Sequence, residues 1–210
     1  VISNLPEGSR LWMPSDGQQS LIYAGGGKWA VDVDHLADLR IQPREDFSGS
    51  FNLDIKVVVT ESDGDKWSAE RTYAVTVDPD PDNPSLHISA SALEDQAGGV
   101  PLDISALATD SDGSESITAI SVSGLPEGIV LHGALSGPDE NGVYHIDPAY
   151  TSGLTLTGMA NNSNVDFSVQ VAVTVEDGGI SETTVRDVTV DIKGVADGVE
   201  NFTVDDVPAD

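Results

Sequence analysis

The chain has 210 residues, with 36 Asp+Glu against 9 Lys+Arg, for a formal charge of −27. A surface this acidic repels nucleic acid and anionic membranes and attracts cations. It has no cysteine, so disulfides and thiolate metal sites are excluded, and no apolar run approaches the ~20 residues of a spanning helix, so membrane insertion is not expected.

Hydrophobic residues make up 39% of the chain, many of them valine and isoleucine, which is enough to build packed cores. The chain opens at "VISNLPEG", in the middle of a pattern, and is expected to be an internal piece of something longer. "VISNLPEGSRL" (1–11) recurs as "ISVSGLPEGIVL" (120–131), with Ile2 matching Val122. "HLADL" (35–39) reads as one helical turn. "FNLDIKVVVT" (51–60) and "RTYAVTV" (71–77) alternate apolar and other residues, as strands do. The acidic, proline-rich "DPDPDNP" (78–84) follows.

Beyond it the pattern repeats. "DFSVQVAVTVE" (166–176) and "VRDVTVDI" (185–192) alternate like the earlier pair, and the run 143–179 parallels 28–65. Similarity at a fixed period indicates tandem modules. Short β-branched segments between Gly, Asp, Asn and Ser turns predict an all-β fold of tandem antiparallel β-sandwiches. Residues 1–79 form the C-terminal part of a first module, lacking strands equivalent to 86–120. Residues 80–84 are a linker, 85–193 a complete module, and 194–210 a linker with the first strand of a further module. Exposed edge strands in the first module would need protection.

The acidic residues cluster. Asp78, Asp80, Asp82 and Asn83 lie in the linker, and Glu94 and Asp95 in "ALEDQA". Asp110, Asp112 and Glu115 lie in "TDSDGSES", while Asp63 and Asp177 lie in the turns "ESDGD" and "VEDGG". Calcium takes about six to eight oxygens from carboxylates, carbonyls and amides. A D-x-D spacing in an extended segment puts two carboxylates on one side. The same residues are also ordinary turn chemistry on a soluble surface. "DSDGSE" begins like an EF-hand loop, but the rest of that pattern does not follow.

The linker resembles that of cadherin repeats, D-x-N-D-N-x-P, with one Asn here rather than two. That resemblance implies a calcium site from Asp80, Asp82 and Asn83, the D-x-D pair Asp110 and Asp112, and the late Asp177. "PLDISALATDSDGSESITAISVSGLPEGIVL", "GLTLTGMANNSNVDFSVQVAVTVED" and "IKGVADG" together resemble the tandem repeats of bacterial type I-secreted RTX adhesins. This second resemblance covers most of 85–198 and part of 1–77. It implies calcium-loaded Ig- or cadherin-like modules at the bacterial cell surface, outside the cell. Prolines would hold the linker extended, and calcium would convert its mutually repelling carboxylates into a clamp.

The implied role is a calcium-stiffened extender that projects a ligand-binding region. Its partners would be adjacent modules of the same chain, the protein itself being monomeric. The alternative is a split or scaffold domain that itself helps to bind a glycan or protein ligand. Trp12, Trp29 and Trp67 could stack on sugars, but more often such residues fill cores or cap edges. His35, His87, His132 and His145 lack metal-ligand spacing, and no nucleophile elbow, phosphate loop or dinucleotide motif is present. No feature marks a catalytic carboxylate pair, so enzymatic activity is not expected. "NNS" (161–163) and "NFT" (201–203) are glycosylation sequons, incidental in a bacterial surface protein.

Overall fold

The computed structural model describes residues 1–14, 21–160 and 163–196. Asn161 and Asn162 of the sequon "NNS" and all of "NFT", together with most of the predicted C-terminal linker and strand, lie outside the described residues. The described chain is all-β, apart from a 3-10 helix at Val33–Asp38 where "HLADL" reads as a helical turn. Asp32 caps that helix, its side chain accepting from the Asp34 amide at 3.1 Å.

The chain divides into two compact units. The first holds Val1–Asp82 together with two loops from later in the chain, Asp110–Ser116 and Glu176–Ser181. The second holds 83–109, 117–175 and the chain from Glu182 onward. The division falls after Asp82. The acidic turns "TDSDGSES" and "VEDGG" group with the linker carboxylates.

In the first unit, β1 (Ile2–Ser3) lies between β4 (Lys28–Val31) and β6 (Gly49–Thr60). Outside β4 lies β3 (Leu21–Gly25), and outside β6 lies β7 (Lys66–Val77), giving the order β3-β4-β1-β6-β7. β2 (Arg10–Trp12) and β5 (Arg40–Gln42) form a separate pair. β6 and β7 are the long alternating strands of the sequence, paired without a break from Gly49↔Val77 to Thr60↔Lys66. Leu53 on β6 is buried with Ile2 and Leu11, and Phe51, Ile55, Trp29 and Val75 pack against them.

In the second unit, β8 (Ser85–Leu93) changes partners along its length. Ser85–Ala90 pair antiparallel with β9 (Val100–Leu107), and Ser91–Leu93 pair parallel with the end of β15 (Ile180–Lys193). β15 neighbours β14 (Phe167–Asp177), followed by β10 (Ser116–Ser123) and β12 (Tyr144–Ile146). On the far side of β9 lie β13 (Thr155–Thr157) and β11 (Val130–His132). Val169, Val171, Val173 and Val190 are essentially inaccessible and share one core with Leu102, Ile104 and Leu156.

The repeat seen in the sequence recurs in the pairings. Ile2 opposes Trp29 as Val122 opposes Tyr144, and Leu11 opposes Ile41 as Leu131 opposes Leu156. β1, β2, β4 and β5 therefore correspond to β10, β11, β12 and β13, and the hairpin β6–β7 corresponds to β14–β15.

Candidate metal centre

The linker leaves β7 at Asp78 and has no regular secondary structure until β8 begins at Ser85. Pro79 and Pro81 fix φ and remove two amide donors, so the carboxylates between them gain no internal hydrogen bonds from those positions. Alternation along this extended run separates Asp78, Asp80 and Asp82 by two residues each. All three line one cavity of about 380 Å³. Asp110, Glu115 and Asp177 line it too, with Asp46, Arg44 and Phe47 completing the wall. Every one of these residues belongs to the first compact unit.

The loop 110–116 is organised by Asp110. One of its oxygens accepts from the Asp112 amide at 2.8 Å, and the other accepts from the Ser114 amide and hydroxyl, both 2.8 Å, and from the Glu115 amide at 3.1 Å. These donors favour the ionised form. The Asp112 amide contributes most, partly opposed by burial, and the carboxyl is held well below the ordinary carboxylate range. The Asp82 amide donates to Glu115 Oε1, tying linker to loop. Asp46, at φ 61°, accepts from the Ser111 amide at 3.0 Å and hydroxyl at 2.7 Å. Aspartate tolerates this left-handed backbone better than most side chains.

Two oxygens on the cavity wall have no hydrogen-bond partner although they are buried: Glu115 Oε2 and Asp177 Oδ1. Asp177 as a whole is only 4% exposed. A buried carboxylate oxygen without a donor costs roughly 1–3 kcal/mol or more, and native structures rarely leave one so. A divalent cation fits this deficiency: it supplies the missing partner and offsets the repulsion among seven lining carboxylates. The donors are all oxygen, with no nitrogen or sulfur, which suits a hard cation such as calcium. Among the described residues, no group of three or more Asp, Glu or His side chains is already arranged as a closed metal site. An ion would therefore require the carboxylates on the wall to turn inward.

Gly178 follows Asp177 with φ +55°, and a Cβ there would meet Pro79 Cγ at 2.9 Å. The glycine thus permits both the turn and the close approach of the linker proline.

Six of the eleven acidic or amide residues singled out in the sequence come together here: Asp78, Asp80, Asp82, Asp110, Glu115 and Asp177. The other five are placed elsewhere or engaged. Asp112 accepts from Arg44 Nη2 at 2.8 Å. Asn83 Oδ1 accepts from the Thr184 hydroxyl at 2.6 Å, and its carbonyl accepts from the Thr109 hydroxyl at 3.2 Å. Asp63 accepts from the Asp65 amide in the exposed β6–β7 turn. Glu94 and Asp95 line a different cavity in the second unit, where Glu94 Oε1 accepts from the Val195 amide at 2.6 Å. Sequence reading missed Asp46 and Arg44 because "QPREDFSG" (42–49) has no D-x-D spacing; its clue was an acid and a base beside a Gly turn.

The chain matches no family model and no curated protein.

Proposed function

We propose that this chain is a calcium-stabilised structural segment of a bacterial cell-surface adhesin, an extender whose linker stiffens on binding calcium. The observation that carries the reading is Asp177, a carboxylate almost wholly buried, with one oxygen unpartnered on the wall of a seven-carboxylate cavity. Asp110, Asp177, Glu115 and the linker aspartates would be the ligands. Asp112 would hold the loop through Arg44 rather than bind metal. The residues themselves provide a strongly negative wall. Calcium bound there supplies the countercharge that lets the proline-stiffened linker rest against the two loops.

Tandem β-sandwich modules of Ig- or cadherin-like type, secretion by a type I route and an extracellular location rest on the sequence resemblance to RTX adhesin repeats. The switch of β8 from β9 to β15 and the repeated pairings support the sandwich reading. Extracellular calcium modules bind at about 10⁻⁴ to 10⁻³ M, so such a site would fill outside the cell and remain empty in the cytosol. The role is mechanical rather than catalytic. Calorimetric titration of calcium into the EDTA-stripped protein tests it: saturable binding in that range is expected, and no heat of binding up to 10 mM, a concentration on the order of ten times the weakest of those affinities, would sink it.

A further inference from the structure

The first unit leaves uncovered a face that the second unit buries. On β6, alternation places Phe51, Leu53, Ile55, Val57 and Val59 on one face, and Leu53 fixes it as the core side. Their partners Val75, Tyr73, Arg71, Ala69 and Trp67 on β7 share that face. "KVVVT" (56–60) matches "QVAVT" (170–174), so Val57 and Val59 correspond to Val171 and Val173. The latter are 0% exposed, while Val57 and Val59 are 47% and 44% exposed. Across the ribbon Tyr73 and Trp67 are 55% and 63% exposed.

The second unit shows what does the covering. Its β8 pairs with the last three residues of β15, Asp191–Lys193, and its β9 pairs with β13 and contributes Val100, Leu102 and Ile104 to the core. In the first unit the corresponding edges are bare: among the described residues β7 has only β6 as a neighbour, and β5 has only β2. A long, apolar, unpaired edge is a template for another strand. Arg71, in register with Ile55, adds a cation to this face in a chain of charge −27.

We propose that β7, β5 and the apolar face beside them form an acceptor for a β-hairpin patterned like residues 85–107, two strands with apolar residues at alternate positions. The incoming first strand adds to the edge of β7, as β8 adds to β15. The second lies beside β5 and lays its apolar side chains over Val57, Val59, Tyr73 and Trp67. Backbone pairing gives affinity, and the alternate side chains set the register. This assignment is independent of the calcium site.

The test is hydrogen exchange on the full chain, titrated with a synthetic peptide of residues 85–107. A second version fuses a copy of that segment through a flexible linker ahead of Val1, in case the free peptide aggregates. Amides at the C-terminal end of β7 should exchange at least tenfold more slowly with the donor present, and Val57→Asp with Val59→Asp should abolish the effect. Unchanged exchange of β7 in both versions overturns the proposal. So does protection that appears without donor and grows with protein concentration, because that would make the occupant a second copy of this chain.

Discussion

Replacing Asp177 with Asn separates a metal ligand from a structural aspartate by changing sign with conditions. The side chain keeps its shape and loses its charge. In EDTA, wild type carries a buried carboxylate with one oxygen lacking a donor, a cost of roughly 1–3 kcal/mol. Asp177→Asn relieves part of that penalty and should be neutral or stabilising by about 1 kcal/mol. In calcium the sign reverses. At a free concentration of about 100 times Kd, binding contributes about 2.7 kcal/mol. If the variant binds about tenfold more weakly, about 1.4 kcal/mol remains, so the binding contribution falls by about 1.3 kcal/mol and, set against the gain seen in EDTA, the net loss is about 0.3–1.3 kcal/mol. For a unit of about 60–100 residues this lowers Tm by roughly 1–10 °C. Paired thermal melts of wild type and variant, in EDTA and in 10 mM calcium, read both halves. Equal destabilisation in the two conditions would show that Asp177 only holds its turn, and the argument from its unpartnered oxygen would fail.

Wild type should melt several degrees higher in millimolar calcium than in EDTA, with magnesium much less effective because it demands a tighter octahedral shell; coincident melts in all three would contradict this. Asp110→Asn should weaken calcium binding clearly in calorimetry, whereas Asp112→Asn, which loses a contact to Arg44, should leave affinity within about threefold, a difference of under 1 kcal/mol; the opposite ranking would reassign the ligands. Gly178→Ala should push Pro79 away from the turn and weaken calcium binding as well as stability, and wild-type affinity would show that this approach is dispensable. Asp139 in the second unit is held below the ordinary carboxylate range by the Val143 and Asn141 amides, with a smaller effect of His145. Its contribution is therefore present above the unfolded-state pKa and lost as pH falls through the lower folded-state value, so Asp139→Asn should destabilise at neutral pH and converge with wild type in strong acid. A gap that persists at the lowest pH would contradict it.

Period-two alternation in 51–60, 71–77, 166–176 and 185–192 exposed the long hairpins directly, because each strand has one face toward a core. The short strands β2, β5, β11 and β13 have three residues each, too few for a period to emerge, and only their pairings reveal them. In the site, D-x-D spacing led to Asp78, Asp80, Asp82 and Asp110 because alternation in extended chain is local geometry. It could not separate Asp110 from Asp112, whose roles diverge through Arg44, 68 residues from Asp112 in sequence. Nor could it find Asp46, which reaches the 110–116 loop through Ser111. The linker motif also drew attention to Asn83, whose amide is taken by Thr184, 101 residues away. Such long-range partners leave no trace in local composition.

The most direct test of the calcium site is a crystal structure grown in millimolar calcium, with anomalous data collected at a long wavelength. An anomalous peak should lie in the cavity with Asp177 and Glu115 oxygens at about 2.3–2.6 Å, joined by Asp110 and at least one of Asp78, Asp80 and Asp82. A cavity holding only water, with Asp177 Oδ1 satisfied by an ordinary hydrogen-bond donor, would contradict it.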